Sequence, residues 1–398
     1  MNERSTDPFE RPRMNEFIPN PQLAEHFSKL ATENRRKKVL HPDAGDHNLA
    51  HFRMMSRVVL NALEYLHNSG AEEGTSIVLG AKECTDVPLD ALAVDGLVYL
   101  VDVDAESLRV ARGKIGDPSV SARVETVPMD ASLFENALLD EAQGLFLENP
   151  SDIDRAFQAV VAMNRDAGGK NEDPVVGLSL PIQNDAMGLV VSSMTLSQFM
   201  IGYIQLLVKM FLARYGREET RRYFLSGPPR EADLEGSERI DELKDSTTAL
   251  ARRSAKKHVR ELGRIARPGG VVVLSDHALH GRCALINEEE VEVDVTSLIP
   301  YSKNLEEDKT LRFREDRKRP LPVVLRADRT RPDTLFVVEG TEALKTILEQ
   351  EGGMEISEEQ GWWWVTERAK GLEEGTALWN ISYVEAFTLT PRNGAHRN

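Results

Sequence analysis

Ser76-Ile-Val-Leu-Gly-Ala-Lys-Glu-Cys84, followed by Val98-Tyr-Leu-Val-Asp-Val-Asp104, decides how the rest of the chain is read. The first segment is a short apolar strand that runs into a tight turn at Gly80. Where a strand end meets a helix start, backbone N–H groups are left free for a ligand, and a glycine lets that ligand approach closely. The second segment is another apolar run, ending in the carboxylates of Asp102 and Asp104. It lies about twenty residues on, the spacing at which an acidic side chain meets ribose hydroxyls. A third segment, Val124-Glu-Thr-Val-Pro-Met-Asp130-Ala131, again ends in an aspartate. Stacked strand–helix–strand units carry such strand ends to one edge of a parallel sheet, where open α/β folds bind ligands.

The same alternation continues outward. Apolar runs at 76–79, 97–101, 122–127, 188–192 and 271–275 are separated by helix-like stretches, and two further runs lie at 362–365 and 381–389. Near-continuous apolar runs are what strands buried on both faces require. The last two runs are joined by a charged, glycine-bearing segment too short for a crossover helix, so they read as antiparallel neighbours. The expected fold is α/β: a seven-stranded, mostly parallel Rossmann-like sheet with an antiparallel C-terminal hairpin strand.

Other parts fall outside this unit. Residues 1–20 are polar and read as a flexible arm. Residues 21–70 hold two amphipathic helices, the second with Asp46 as its expected N-cap, and they read as a helical lid. The core is expected over 71–287, an insertion over 288–334, and a C-terminal helix with the hairpin over 335–392. Residues 217–245 are charged and read as a surface excursion.

With 398 residues, 41% hydrophobic and 29% charged, the chain can bury a large core. Its net charge of −16 argues against a broad nucleic-acid footprint. Two cysteines make no disulfide framework and fit a reducing, cytoplasmic setting. The most apolar stretch, 198–212, is interrupted by Gln205 and Lys209 and is too short to cross a bilayer, so no membrane association is expected.

In the order and spacing of these segments the chain resembles the class I S-adenosylmethionine-dependent methyltransferases, over roughly 77–391 with 288–334 outside the resemblance. Further pieces carry it: Asp185-Ala-Met-Gly-Leu-Val-Val-Ser-Ser193 as strand four, Arg267-Pro-Gly-Gly-Val-Val-Val-Leu-Ser275 as the turn into strand five, and the hairpin near Trp362 and Tyr383. The resemblance implies S-adenosylmethionine as cofactor and methyl transfer to an acceptor. It places Gly80, Ala81 and Cys84 against the methionine part and Asp102, with Val103 and Asp104, at the ribose. Asp130 and Ala131 fall at the adenine, and Ser192 and Ser193 at the end of strand four. The family turn usually carries two or three glycines, whereas this one has Gly80 alone, which limits left-handed backbone geometry.

A small-molecule acceptor is the leading expectation, for O- or N-methylation, with a protein or RNA acceptor or a non-catalytic binding protein as alternatives. The oligomeric state is open. O-methylation calls for a general base, and His277, oriented by Asp276, is the candidate; a loop or cap role for the pair is the competing reading. Phe199, Met200, Tyr203 and Ile204 line an acceptor pocket or pack the core. The histidine-rich segment His41–His51 reads as surface, as part of a lid, or as a metal site through His47 and His51; no metal is assigned. Trp362-Trp363-Trp364 reads as packing beneath helices rather than as an aromatic cage.

Overall fold

The computed structural model describes residues 8–9, 14, 18–19, 21–40, 44–69, 74–131, 135–149, 151–169, 180–193, 201–224, 238–284, 291–294, 310–313, 323–325, 347–348, 353–368 and 378–392. Its strands are β1 (Ser76–Leu79), β2 (Val98–Asp102), β3 (Val124–Pro128), β4 (Met187–Ser193), β5 (Ala266–Ala284), β6 (Val291–Asp294), β7 (Thr310–Phe313), β8 (Val323–Leu325), β9 (Met354–Arg368) and β10 (Leu378–Pro391). Seven of them make the main sheet, in the order β3-β2-β1-β4-β5-β10-β9. The first five run parallel, and β10 lies antiparallel between β5 and β9. This is the expected mixed α/β sheet with its antiparallel C-terminal hairpin.

Strand alternation sorts the core into two layers. Ile77, Leu79, Tyr99, Val101, Val190, Val272, Leu274 and Phe387 pack against α6 (Glu135–Glu148), α7 (Ile153–Gly169), α8 (Ile201–Tyr215) and α10 (Glu238–Ile265). Val78, Val98, Leu100, Leu189, Val191, Val273 and Ala386 pack on the other face against α2 (Ala44–Asn68), α3 (Leu89–Asp95) and α4 (Ala105–Gly113). Buried on both sides, these strands have no polar positions to alternate with, which is why they read as unbroken apolar runs.

Several boundaries differ from expectation. β5 runs through Ala284, well past 275, and β9 and β10 are likewise longer than their apolar cores. Antiparallel pairing satisfies the backbone of these strands whatever the side chains are, so polar residues such as Glu385, opposite Asp276, do not end them. The second helix starts at Ala44, so Asp46 lies inside its first turn and is not its N-cap. Part of 217–245 is helical: α9 spans Arg217–Phe224 and α10 begins at Glu238. Among the described residues of this range, Thr220 of α9 and Leu243 of α10 are buried.

Within 288–334, β6 pairs antiparallel with β7 and parallel with β8, and Leu325 of β8 meets Cys283 of β5. Among the described residues of the N-terminal arm, Phe9 and Met14 meet the core. Phe9 bridges Ile182, is buried, and meets the Tyr99 ring edge-on at 5.0 Å. α1 (Pro21–Leu40) packs on α8. Among the described residues no helix is long and apolar enough to cross a membrane.

Candidate functional site

The turn after β1 keeps a left-handed backbone at alternate residues: φ is 68° at Gly80, 45° at Lys82 and 49° at Cys84. Two of these positions carry side chains that resist such φ values, at a cost of about 1–2 kcal/mol each. The single glycine therefore does not prevent the tight winding. The Ala81 N–H donates to the Val101 carbonyl at 3.0 Å and the Cys84 N–H to the Ala81 carbonyl at 2.6 Å. Cys84 is buried in the α2/α3/α4 layer, while the Lys82 side chain is exposed. Burial, helped by the negative charge of Asp86, pushes the Cys84 thiol far above its usual range, so it is a small space-filler and not a nucleophile.

Asp102 holds this turn in place. Its Oδ2 accepts the Lys82 N–H and its Oδ1 the Asp104 N–H, both at 3.0 Å. Burial raises the Asp102 pKa, opposed by these two backbone bonds and by the nearby Lys82 charge. Asp104 is the N-cap of α4, taking the Glu106 N–H at 3.1 Å on Oδ1 and the Ser107 hydroxyl at 2.7 Å on Oδ2. The Met129 N–H donates to the Asp102 carbonyl at 2.9 Å and so fixes the end of β3, where Asp130 and Ala131 are buried. Val103 packs against the α6–α10 layer.

Gly80, Ala81, Cys84, Asp102, Val103, Asp104, Asp130 and Ala131 thus gather on the ends of three adjacent parallel strands. Neighbouring strands lie about 4.8 Å apart, so the stretch from the Gly80 turn to Asp130 is on the order of 10 Å. Together they present a turn with small residues and two acidic strand ends beside it.

The two serines of β4 point to opposite faces. The Ser192 hydroxyl is fully buried, 2.8 Å from Nε2 of His258 on α10, turned toward the α6–α10 layer. Ser193 lies on the other face; it receives the Ser275 hydroxyl at 3.2 Å and donates to Oδ2 of Asp86. Burial drops the His258 pKa to about 3, which keeps the ring neutral.

Asp276 and His277 lie inside β5, not past it, since the strand continues to Ala284. Asp276 is buried, and the His277 side chain lies outside the described residues. Tyr203 and Ile204 are core: the Tyr203 hydroxyl donates to Asn164 at 2.7 Å from a fully buried position. Phe199 and Met200, and the side chain of His47, are outside the described residues.

His51 lies where α2 crosses β9. Its Nδ1 accepts the Trp362 indole N–H at 3.1 Å, so the neutral ring carries its proton on Nε2. Burial lowers the His51 pKa to about 4, against the raising effect of Asp86. Trp362 itself packs in the α2/α3/α4 layer.

Asp86, His258 and the His51–Trp362 bond were not singled out from the sequence. For His258 a signal exists: it falls on the inward stripe of α10 with Leu250, Ala251, Ser254, Ala255 and Leu262. For Asp86 the only sequence signal is an acid two residues past the turn.

No family model matches the chain, and no curated protein matches it either. Solved structures do. An S-adenosylmethionine-dependent methyltransferase from Clostridium acetobutylicum ATCC 824 is 10% identical, aligned over 92% of this chain and 99% of its own, with a TM-score of 0.33. A structure concerned with conversion of a disulfide bond into a thioacetal group during echinomycin biosynthesis is 11% identical over 83% of this chain and 82% of its own, TM-score 0.30. The [4+2]-cyclase SpnF is 11% identical over 73% of this chain, which spans 54% of SpnF, TM-score 0.27. With TM-scores this low, these likenesses carry no weight for substrate or chemistry.

Proposed function

We propose that this chain is an S-adenosylmethionine-dependent methyltransferase acting on a small-molecule acceptor. The observation that carries the reading is the turn after β1, wound left-handed at Gly80, Lys82 and Cys84 and clasped to β2 by the Asp102 carboxylate. A non-glycine residue held at positive φ is strained, and such strain persists where the surrounding structure enforces a particular backbone path. Here that path leaves a small-residue surface beside the acidic ends of β2 and β3.

In this reading the bound cofactor supplies an electrophilic methyl group on a sulfonium. The chain's own part is binding and alignment. Asp102 stands at the ribose position and Asp130 at the adenine position. A carboxylate oxygen has two acceptor sites, so Asp102 can hold its backbone donors and a ribose hydroxyl together. Methyl transfer to an atom that is already nucleophilic needs little more than this fixed geometry, because positioning alone lowers the barrier by several kcal/mol. α2 is pinned to β9 through His51 and Trp362 and packs on β5, β10 and β4 beside it.

Calorimetry with S-adenosylmethionine and S-adenosylhomocysteine on wild type and Asp102→Ala tests the reading. Binding by the wild type, weakened in the variant, is expected. A wild type that binds neither compound ends it. Release of S-adenosylhomocysteine in the presence of a panel of small amines, phenols and carboxylic acids then tests catalysis; tight binding with no release across the panel is the result expected of a non-catalytic binding protein.

A further inference from the structure

Three carboxylates surround the turn after β1, and their hydrogen bonds set one apart. Asp102 accepts a backbone N–H on each oxygen. Asp104 spends both oxygens on the first turn of α4. Asp86 has only Oδ2 engaged, by the Ser193 hydroxyl, and among the described residues its Oδ1 accepts no hydrogen bond. The residue is half-buried, so this oxygen belongs to an ordered carboxylate that is still reachable.

Its placement is set by the ends of two strands. Ser275 of β5 donates to Ser193 of β4, which donates to Asp86, and this relay carries the carboxylate from the β1 turn over the end of β4. Across the sheet edge the order is then Asp130 just past β3, Asp102 at the end of β2, Gly80 just past β1, and Asp86, bonded to Ser193, at the end of β4. Asp102 and Asp86 flank β1 on opposite sides, roughly two interstrand spacings or about 10 Å apart.

We infer that Asp86 binds the α-ammonium group of S-adenosylmethionine, a role that rests on the cofactor reading above. That molecule carries a ribose diol and, beyond the sulfonium, a primary ammonium. With the diol at Asp102 and the chain passing Gly80, the ammonium arrives on the β4 side. An ammonium there meets a carboxylate oxygen with unused acceptor capacity, and charge-assisted hydrogen bonds of this type are about twice as strong as neutral ones. The Ser193 hydroxyl, donating to Oδ2, fixes the carboxylate rotamer and leaves Oδ1 for the ammonium. His51, the titratable group facing Asp86 from α2, stays neutral and does not compete as a counter-ion.

The test compares S-adenosylhomocysteine with methylthioadenosine, which keeps the adenosyl group and the sulfur but lacks the amino-acid end. Calorimetry is run on wild type, Asp86→Asn and Ser193→Ala. Asparagine keeps the size of the side chain and can still accept from Ser193. Asp86→Asn is expected to weaken S-adenosylhomocysteine about tenfold or more, with methylthioadenosine unchanged. Ser193→Ala is expected to give a smaller loss, also confined to S-adenosylhomocysteine. Unchanged S-adenosylhomocysteine affinity in Asp86→Asn overturns the assignment. Equal loss of both compounds also overturns it, since that marks a general structural role. A wild type that binds neither compound brings down the cofactor reading itself, a different failure from either of these.

Discussion

The backbone N–H of Lys82 donates to Oδ2 of Asp102 at 3.0 Å, so a side chain at the end of β2 holds the turn at the end of β1. The other oxygen of the same carboxylate takes the Asp104 N–H, also at 3.0 Å. Asp102→Asn replaces one acceptor oxygen with an NH2 donor and leaves one of these backbone donors facing it. The expected loss is about 1–3 kcal/mol of folding stability, measured by urea denaturation. Affinity for S-adenosylhomocysteine should fall as well, because the turn loosens. A variant as stable as wild type would show that the clasp contributes nothing.

Lys82 sits at φ 45° with its side chain exposed, so its backbone strain has no compensating burial. Lys82→Gly should raise stability by about 1 kcal/mol, partly offset by the greater freedom of glycine in the unfolded chain. Cys84→Gly relieves similar strain but removes a buried side chain, so it should gain less or lose. Thermal melts of the two variants, read as the difference between them, check this ordering; a Lys82→Gly variant that melts well below wild type contradicts it.

Two buried histidines make stability pH-dependent in a defined direction. Burial lowers His51 to about 4 and His258 to about 3, against an ordinary value near 6.5 in the unfolded chain. Their contribution is therefore whole above about pH 6.5. It drains as pH falls through 6.5 toward the folded values, because the unfolded state takes up protons that the native state refuses. With both groups in play the slope reaches about 2.7 kcal/mol per pH unit. His258→Gln should halve it between about pH 6 and pH 5. Urea midpoints at several pH values give the slope; one that is unchanged by the substitution would remove His258 as a contributor.

Phe9 is buried against Tyr99 and Ile182, so at this point the N-terminal arm is part of the core. Phe9→Ala should cost about 3–5 kcal/mol, the usual range for a buried phenylalanine. A chain whose arm is loose would show almost no change in its unfolding midpoint, which makes the test decisive.

What the sequence made legible follows from where each strand is buried. Ile77-Val78-Leu79, Val98 to Val101 and Leu189-Val190-Val191 face helices on both sides, so every position is apolar and the run is plain to read. β9 is an edge strand in which exposed residues alternate with more buried ones from Met354 to Trp362, and its polar half reads as loop. Its hydrogen bonds to β10 make it a strand, and backbone pairing leaves little mark on composition. The site divides in the same way. Gly80 and the acids at 102 and 130 end apolar runs and stand out locally. The Ser193–Asp86 bond joins residues 107 apart and the Trp362–His51 bond residues 311 apart, distances over which one sequence carries no pairing signal. The left-handed positions at 82 and 84 were hidden because lysine and cysteine, not glycine, occupy them.

Hydrogen–deuterium exchange with and without S-adenosylhomocysteine bears most directly on the claim that the ends of β1, β2 and β3 cradle an adenosyl group. Slowed exchange in peptides covering 79–86, 102–107 and 129–131, with peptides from β9 and from 291–294 unchanged, is the predicted pattern. No change at those three strand ends at saturating ligand, or protection confined to another part of the chain, would contradict it.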